Sequence, residues 1–274
     1  MSLPSEALPE GARATRVAGG DINEGWQVVR ADGRRSFVKT RVGAAPGEYA
    51  TEAAGLRWLG QPGGLRVPEV LAVGDEFLEL EWVEAGRLDG AGAEELGRGL
   101  AAVHAAGAPA FGAGWPARIG RLVLPNEPCA TWAEFYAERR LRPLRTRAGL
   151  SARGERLLDR VCDRLEDLAG PPEPPARLHG DLWGGNVLAG ADGRPWLIDP
   201  VAHGGHREVD LAMLALFGGP PAGFREAYAE ASPPAAGWEE RVGLWQLFPL
   251  LVHAALFGGS YAASAERIAA GYAG

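Results

Sequence analysis

Near residue 84 the sequence changes its period, and that change limits the fold more than any single residue does. Up to about Val83 the chain runs in short β-type stretches broken by glycine: Val28-Val29, a turn at Ala31-Asp32-Gly33-Arg34, then Ser36-Phe37-Val38-Lys39, which together read as a hairpin. Residues 47–59 carry Tyr49, Ala53, Leu56 and Leu59 at helical spacing, and Pro68 stops any helix before two more strand candidates, 69–73 and 77–83. From Ala93 onward the pattern lengthens into amphipathic segments at 94–106, 131–147, 151–168, 208–217, 223–231, 238–257 and 262–272. The expectation is an α+β chain in two lobes. Residues 1–83 would form a small antiparallel sheet with one helix, and 84–274 a larger, mainly helical body. No internal repeat runs through it.

Composition removes several classes of function. The 274 residues are enough for a sizeable buried core, and Gly 40 with Pro 21 stays below the share of roughly 25–30% that marks low-complexity chains. The formal net charge is −7 with no dominant basic face, so nucleic acid is not an expected partner. Residues 1–10 lack the basic and apolar regions of an export signal. The most apolar stretch, 244–257, is too short for a bilayer and contains Gln246, Pro249 and His253, so it reads as a buried helix and no membrane partner is expected. Cys129 and Cys162 stand apart with no second ligand nearby, which argues against a disulfide framework or zinc site and for a reducing cytoplasm.

Phosphoryl transfer from ATP needs a cation on the phosphates, ligands for magnesium, a carboxylate facing the attacking hydroxyl and a backbone cradle. The chain offers each. After the stiff connector Pro171-Pro-Glu-Pro-Pro175 come His179-Gly180-Asp181 and Asn186, and Asp199 follows a turn at Asp192-Gly193. Asp181 would accept the hydroxyl proton, while Asn186 and Asp199 supply the hard oxygens that suit magnesium. His179 reads as an architectural loop residue. Lys39 ends an apolar strand, where its ammonium can project toward phosphates, with Glu52 on the next helix preferred over Glu48 as its partner. Gly19 and Gly20 open a stretch that could close over the phosphates, although it does not match G-x-G-x-x-G. Glu81 and Val83 fit either an edge strand or a hinge between lobes whose backbone would hold adenine. His104 reads as a core histidine, and Asp210 as a helix cap or a tie to the catalytic loop.

His179-Gly-Asp-Leu-Trp183 with Asn186 and the later Asp199-Pro200 resembles the fructosamine kinase family, within the wider aminoglycoside-phosphotransferase and choline-kinase-like group. The likeness extends through His206-Arg207-Glu208-Val-Asp210, Phe217-Gly-Gly, Gly237-Trp-Glu-Glu-Arg241 and Leu244-Trp-Gln-Leu-Phe248-Pro-Leu-Leu-Val-His253. Phe111-Gly, Asn126 and Thr131-Trp-Ala-Glu-Phe-Tyr136 match the family's central insert. The resemblance implies a protein-kinase-like bilobal fold and transfer of the γ-phosphate of ATP, with magnesium, to the 3-hydroxyl of a ketosamine, a sugar joined to an amine by glycation. It further implies that Trp183 lines the sugar pocket, with His203 and His206 near the acceptor.

Five positions depart from the family pattern. Asp21 stands where many members have cysteine, Gly184 replaces a usual serine, His203-Gly204 replaces an aromatic pair, and Leu124 replaces a frequent glutamine. Two rival readings stay open at this point. One is a related kinase acting on an aminoglycoside, choline or a sugar alcohol, although Trp183 beside the base suits a sugar better than a polycation. The other is a nucleotide-binding pseudokinase, against which the intact Lys39, Asp181, Asn186 and Asp199 argue.

Overall fold

The computed structural model describes residues 3–17 and 23–274. Five strands come first: β1 (Arg13–Val17), β2 (Glu24–Val29), β3 (Arg35–Thr40), β4 (Val70–Val73) and β5 (Phe77–Glu81). They form one antiparallel sheet in the order β1-β2-β3-β5-β4. The hairpin expected around Asp32-Gly33 joins β2 to β3, and Gly33 takes the left-handed conformation that the turn requires, φ 83°. β1 is an addition to the sequence reading. Its Arg-Ala-Thr-Arg-Val run has no apolar alternation because it is an edge strand, with no buried residue.

Helix α1 (Glu48–Gly60) crosses one face of this sheet. Successive side chains of a strand point to opposite faces, so β3 feeds two clusters. Val38 packs with Ala7, Val28 and Phe77, whereas Phe37 packs with Tyr49, Ala53 and Leu56 of α1. Lys39 shares the Phe37 face. The two-residue period therefore turns a lysine toward α1, and each large side chain fully buried beneath it contributes about 1.5–3 kcal/mol to holding the helix there.

The rest of the chain is mainly helical: α2 (Gly90–Ala105), α3 (Trp132–Phe135), α4 (Ala152–Asp163), α5 (Leu165–Leu168), α6 (Glu208–Leu216), α7 (Phe224–Ala231), α8 (Trp238–Phe257) and α9 (Tyr261–Tyr272). Three ribbons interrupt it: β6 (Ala117–Ile119) with β7 (Leu122–Leu124), β9 (Val187–Ala189) with β10 (Pro195–Leu197), and β8 (Ala176–Leu178) with β11 (His203–Gly205). α2 starts earlier than the periodicity suggests because Asp89 caps it, accepting from Gly92 N at 2.8 Å. Segment 131–147, read as one helix, is α3 followed by a π-helical turn, Tyr136–Leu141, and a 3-10 turn, Arg142–Leu144. Pro143 cannot donate to Arg139 O, and the Arg140 guanidinium donates to it instead at 3.1 Å. Pro249 leaves a similar gap inside α8, where Trp245 O accepts from Tyr136 Oη at 3.1 Å.

The largest core gathers Trp132, Tyr136, Trp245 and Phe248, and a second, with Leu96, Leu100, Leu182, Leu197 and Leu211, lies under the catalytic segment. Among the described residues no helix is long and apolar enough to cross a membrane.

Candidate active site

The segment leaving β8 is set by one buried carboxylate. Asp210, in the first turn of α6, accepts from His179 N at 2.7 Å and from Gly180 N at 2.9 Å, and lies 3.3 Å from His104 Nε2. Burial alone would raise its pKa, but these donors outweigh it and hold Asp210 below the usual carboxylate range. Gly180 sits at φ 81°, and a Cβ there would lie 2.2 Å from Val201 O, so only glycine passes. The His179 ring closes the loop from inside. Its Nε2–H donates to Ile198 O at 2.9 Å while Nδ1 accepts from Asp181 N at 3.2 Å, and burial lowers its pKa, so the ring is neutral and architectural.

Asp181 emerges from this loop. Asn186 Nδ2 donates to Asp181 O at 2.8 Å and to Oδ2 at 3.1 Å, which turns the Asn186 carbonyl oxygen away from the aspartate. Burial, reinforced by the nearby Asp199, raises the Asp181 carboxyl to about 7. Across the cleft, Lys39 Nζ donates to both oxygens of Glu52, at 3.1 and 3.0 Å, and to Asp199 Oδ1 at 2.9 Å. Burial opposes the lysine's charge, but the two carboxylates outweigh it and raise its pKa. Glu52 is pushed up by burial in spite of Lys39, whereas Lys39 overrides burial at Asp199 and holds that carboxylate low. Glu48 is engaged elsewhere, on Arg41 and Ala45 N. α1 backs directly onto the segment that carries Asp199: a Cβ at Gly55 would meet Ala202 Cβ at 3.3 Å.

Asp199 is the only non-glycine with positive φ, 54°, among the described residues. A left-handed residue immediately before Pro200 is strained by about 1–3 kcal/mol, which its neighbours must impose. The bond from Ile198 N to Asn186 O, 3.1 Å, and the Lys39 contact do so.

Lys39, Glu52, Asp181, Asn186 and Asp199 all line one cleft of about 580 Å³. Its other end is aromatic. Trp183, 39% exposed, meets Phe217 edge-on at 6.3 Å, and His253 lies 4.8 Å from Phe217 and 5.7 Å from Phe257 between ring centroids. The sequence reading gives no role to Phe217, His253, Phe257 or Tyr261 and takes 244–257 as a buried helix. Trp245 and Phe248 are core, whereas Phe257, one turn after His253 and followed by Gly258-Gly259, is 56% exposed. That placement was the available signal.

Other expected residues fall elsewhere. Gly19 and Gly20 lie outside the described residues. Glu81 and Val83 do not line the cleft: Glu81 N donates to Glu69 O at 2.8 Å, and the Val83 backbone makes no hydrogen bond among the described residues. His203 and His206, expected near the acceptor, are corrected to core positions. His203 stacks on Phe135 at 5.5 Å, donates from Nδ1 to Val201 O and is driven down to about 3 by burial. His206 stacks on Trp245 at 5.3 Å. Gly204 pairs with Gly112 in a backbone bridge where a Cβ would lie 1.9 Å from Ala110 O. The departures at 203 and 204 thus concern packing, not the pocket.

A family model described as fructosamine kinase matches residues 6–272. A "probable ketoamine kinase" of Synechocystis is 36% identical over 258 residues, covering 92% of this chain and 87% of the relative. The solved "putative fructosamine-3-kinase" from Thermobifida fusca is 46% identical with a TM-score of 0.87, covering 94% of this chain and 93% of that one. A choline kinase from Streptococcus pneumoniae shares the fold, at a TM-score of 0.63 and 16% identity over 98% of this chain and 95% of that one. Sheet, helical body and cleft define a phosphotransferase with the protein-kinase-like bilobal fold. Within that class the chain belongs to the fructosamine kinase family.

Proposed function

We propose that the chain transfers the γ-phosphoryl group of ATP to the 3-hydroxyl of a ketosamine. The observation that carries this reading is the junction, in one cleft, of a Lys39–Glu52–Asp199 charge cluster, the Asp181–Asn186 pair and an aromatic wall beside them. Asp181, raised by burial, takes the role of orienting the attacking hydroxyl and accepting its proton. Lys39, steered by Glu52, faces the phosphates. The oxygens left over by the ties fit a magnesium ion: the Asn186 side-chain carbonyl points away from Asp181, and Asp199 commits Oδ1 to Lys39. Bound there, the metal would neutralise charge on the phosphates. Trp183 and Phe217 pack against the apolar face of the sugar.

We assign residues 1–83 to the nucleotide lobe and 84–274 to the lobe of catalytic loop and acceptor. The Val83 backbone, free of internal hydrogen bonds among the described residues, is the candidate contact for adenine. Such a product, a ketosamine 3-phosphate, sheds its sugar and would make the reaction a repair of glycated amines. A reducing cytoplasm suits the free thiols of Cys129 and Cys162. ADP release measured across ribose-, fructose- and erythrulose-derived amines tests the reading. Turnover with a ketosamine and a 3-phosphate by mass spectrometry support it. Nucleotide binding with no turnover on any of them would favour the pseudokinase.

A further inference from the structure

Two Lys or Arg side chains line the cleft, Lys39 and Arg118, and they are in opposite states. Lys39 is consumed by Glu52 and Asp199. Arg118, in β6, forms no ion pair among the described residues; its guanidinium makes one hydrogen bond, from Nη2 to Pro46 O at 3.0 Å, and its Nε is buried with no partner. The Nε–H is shielded from the cleft, but Nη1 is not buried and makes no hydrogen bond among the described residues, so it is the donor that an acceptor oxygen brought in by a ligand can reach.

The position of Arg118 points to which ligand. Three residues later Arg121 ties the β6–β7 ribbon to the end of α8, donating to Ala255 O at 3.0 Å and Leu256 O at 2.8 Å. Arg118 thus belongs to the wall shared with Leu256 and Phe257, the acceptor end. A guanidinium is a planar fork that matches a carboxylate, and a site built around such a group rejects analogues that lack it.

We propose that Arg118 recognises a carboxylate carried by the amine part of the acceptor, so that the preferred substrates are ketosamines of free amino acids. The inference rests on the ketosamine reading above. Its test compares ketosamines of one sugar with glycine, glycinamide and ethylamine, by ADP release at saturating ATP. The expected result is a kcat/KM for the glycine adduct about 10-fold or more above the other two. Arg118→Gln should erase that preference while changing kcat/KM for the glycinamide adduct far less, and Arg118→Lys should restore part of it. Equal kcat/KM for the three adducts in the unmodified protein overturns the inference, and that arm stands even if the variants fail to fold. An equal loss on all three acceptors in folded Arg118→Gln also overturns it, and a parallel fall in affinity for a non-hydrolysable ATP analogue would then assign Arg118 to the phosphates. If no ketosamine is phosphorylated, the functional reading fails; if all are phosphorylated alike, only this inference does.

Discussion

At the nucleotide end of the cleft, Lys39, Glu52 and Asp199 hold one another through bonds of 2.9–3.1 Å, and Asn186 fixes Asp181 through bonds of 2.8 and 3.1 Å. At the acceptor end, Trp183, Phe217, His253 and Phe257 meet only ring to ring, with centroids 4.8–6.3 Å apart. The first end is preorganised for charge, with every member positioned by another charged or polar group. The second offers area, and ring packing defines position less sharply than hydrogen bonds do. Chemistry at one end can therefore stay constant while the acceptor changes at the other, because among the described residues no side-chain hydrogen bond links the two sets, and the tie between them is in the backbone, where Asn186 N donates to Trp183 O at 2.9 Å. Mutations should separate accordingly.

Asp199→Ala should have the largest effect. It removes both the oxygen proposed for magnesium and one of the two anchors of Lys39, and the expected outcome is no measurable turnover with weakened magnesium-dependent nucleotide binding. Calorimetric ATP titration with and without magnesium checks it; an unchanged metal dependence would refute the role. Asp181→Asn comes next. It keeps the shape and the contact with Asn186 but cannot accept a proton, so kcat should fall by ~10²–10⁴ with ATP affinity nearly intact. A variant that keeps more than about half of the wild-type kcat would remove Asp181 from its assignment.

Trp183→Ala probes the other end. The expected change is at least ~10-fold in acceptor KM or kcat/KM, about 1.4 kcal/mol, with KM for ATP moved by less than ~3-fold. Because the ring is 39% exposed, the melting temperature should change little, unlike the ~3–5 kcal/mol loss expected for truncating a buried tryptophan. Kinetics per active site beside a thermal melt separates the two accounts, and an unaltered acceptor KM and kcat/KM in a folded variant would break the division of the cleft.

The nucleotide end was far more legible in the sequence than the acceptor end, and for a physical reason. Lys39 could be placed because β3 alternates and α1 has a helical repeat, so local periods bring Lys39 and Glu52 together. Asp181, Asn186 and Asp199 were visible because a turn and a short ribbon return the chain within a few residues. Apart from Trp183 in the loop after β8, the aromatic wall is assembled from Phe217 just after α6, His253 and Phe257 of α8 and Tyr261 of α9, where no local period distinguishes a ring facing the core, such as Trp245, from one facing the cleft, such as Phe257. His203 and His206 misled for the same reason: chain proximity to the catalytic loop says nothing about which way a side chain of β11 or of the link from it to α6 will face. The π-helical turn at Tyr136–Leu141 likewise depends on Arg140 filling the gap left by Pro143, a tertiary arrangement with no pattern of its own.

The smallest effect, a thermal one, follows from the cost of preorganising charge. Asp181 titrates near 7 in the folded protein because of burial and Asp199, against about 4 in an unfolded chain. A carboxyl raised on folding stabilises in its protonated form: that stability is fully present below about pH 4 and is lost as the pH climbs through 7. Asparagine carries no such titration. In protein free of metal and nucleotide, the melting temperature of Asp181→Asn relative to wild type should therefore rise between pH 5 and pH 8. The expected gain is on the order of 1 kcal/mol, a few degrees at most, after allowance for water reaching a carboxyl that opens on the cleft. Glu52 is also raised by burial, but it is present in both proteins and drops out of the difference. Magnesium and ATP should raise both melting temperatures and leave the gap nearly unchanged, since the two proteins bind the nucleotide with nearly equal affinity. Paired melts at the two pH values, with and without magnesium–ATP, decide it: a difference between the proteins that stays constant with pH would mean that Asp181 is ionised without cost, and the contrast between a strained, charged end and an unstrained aromatic one would lose its energetic basis.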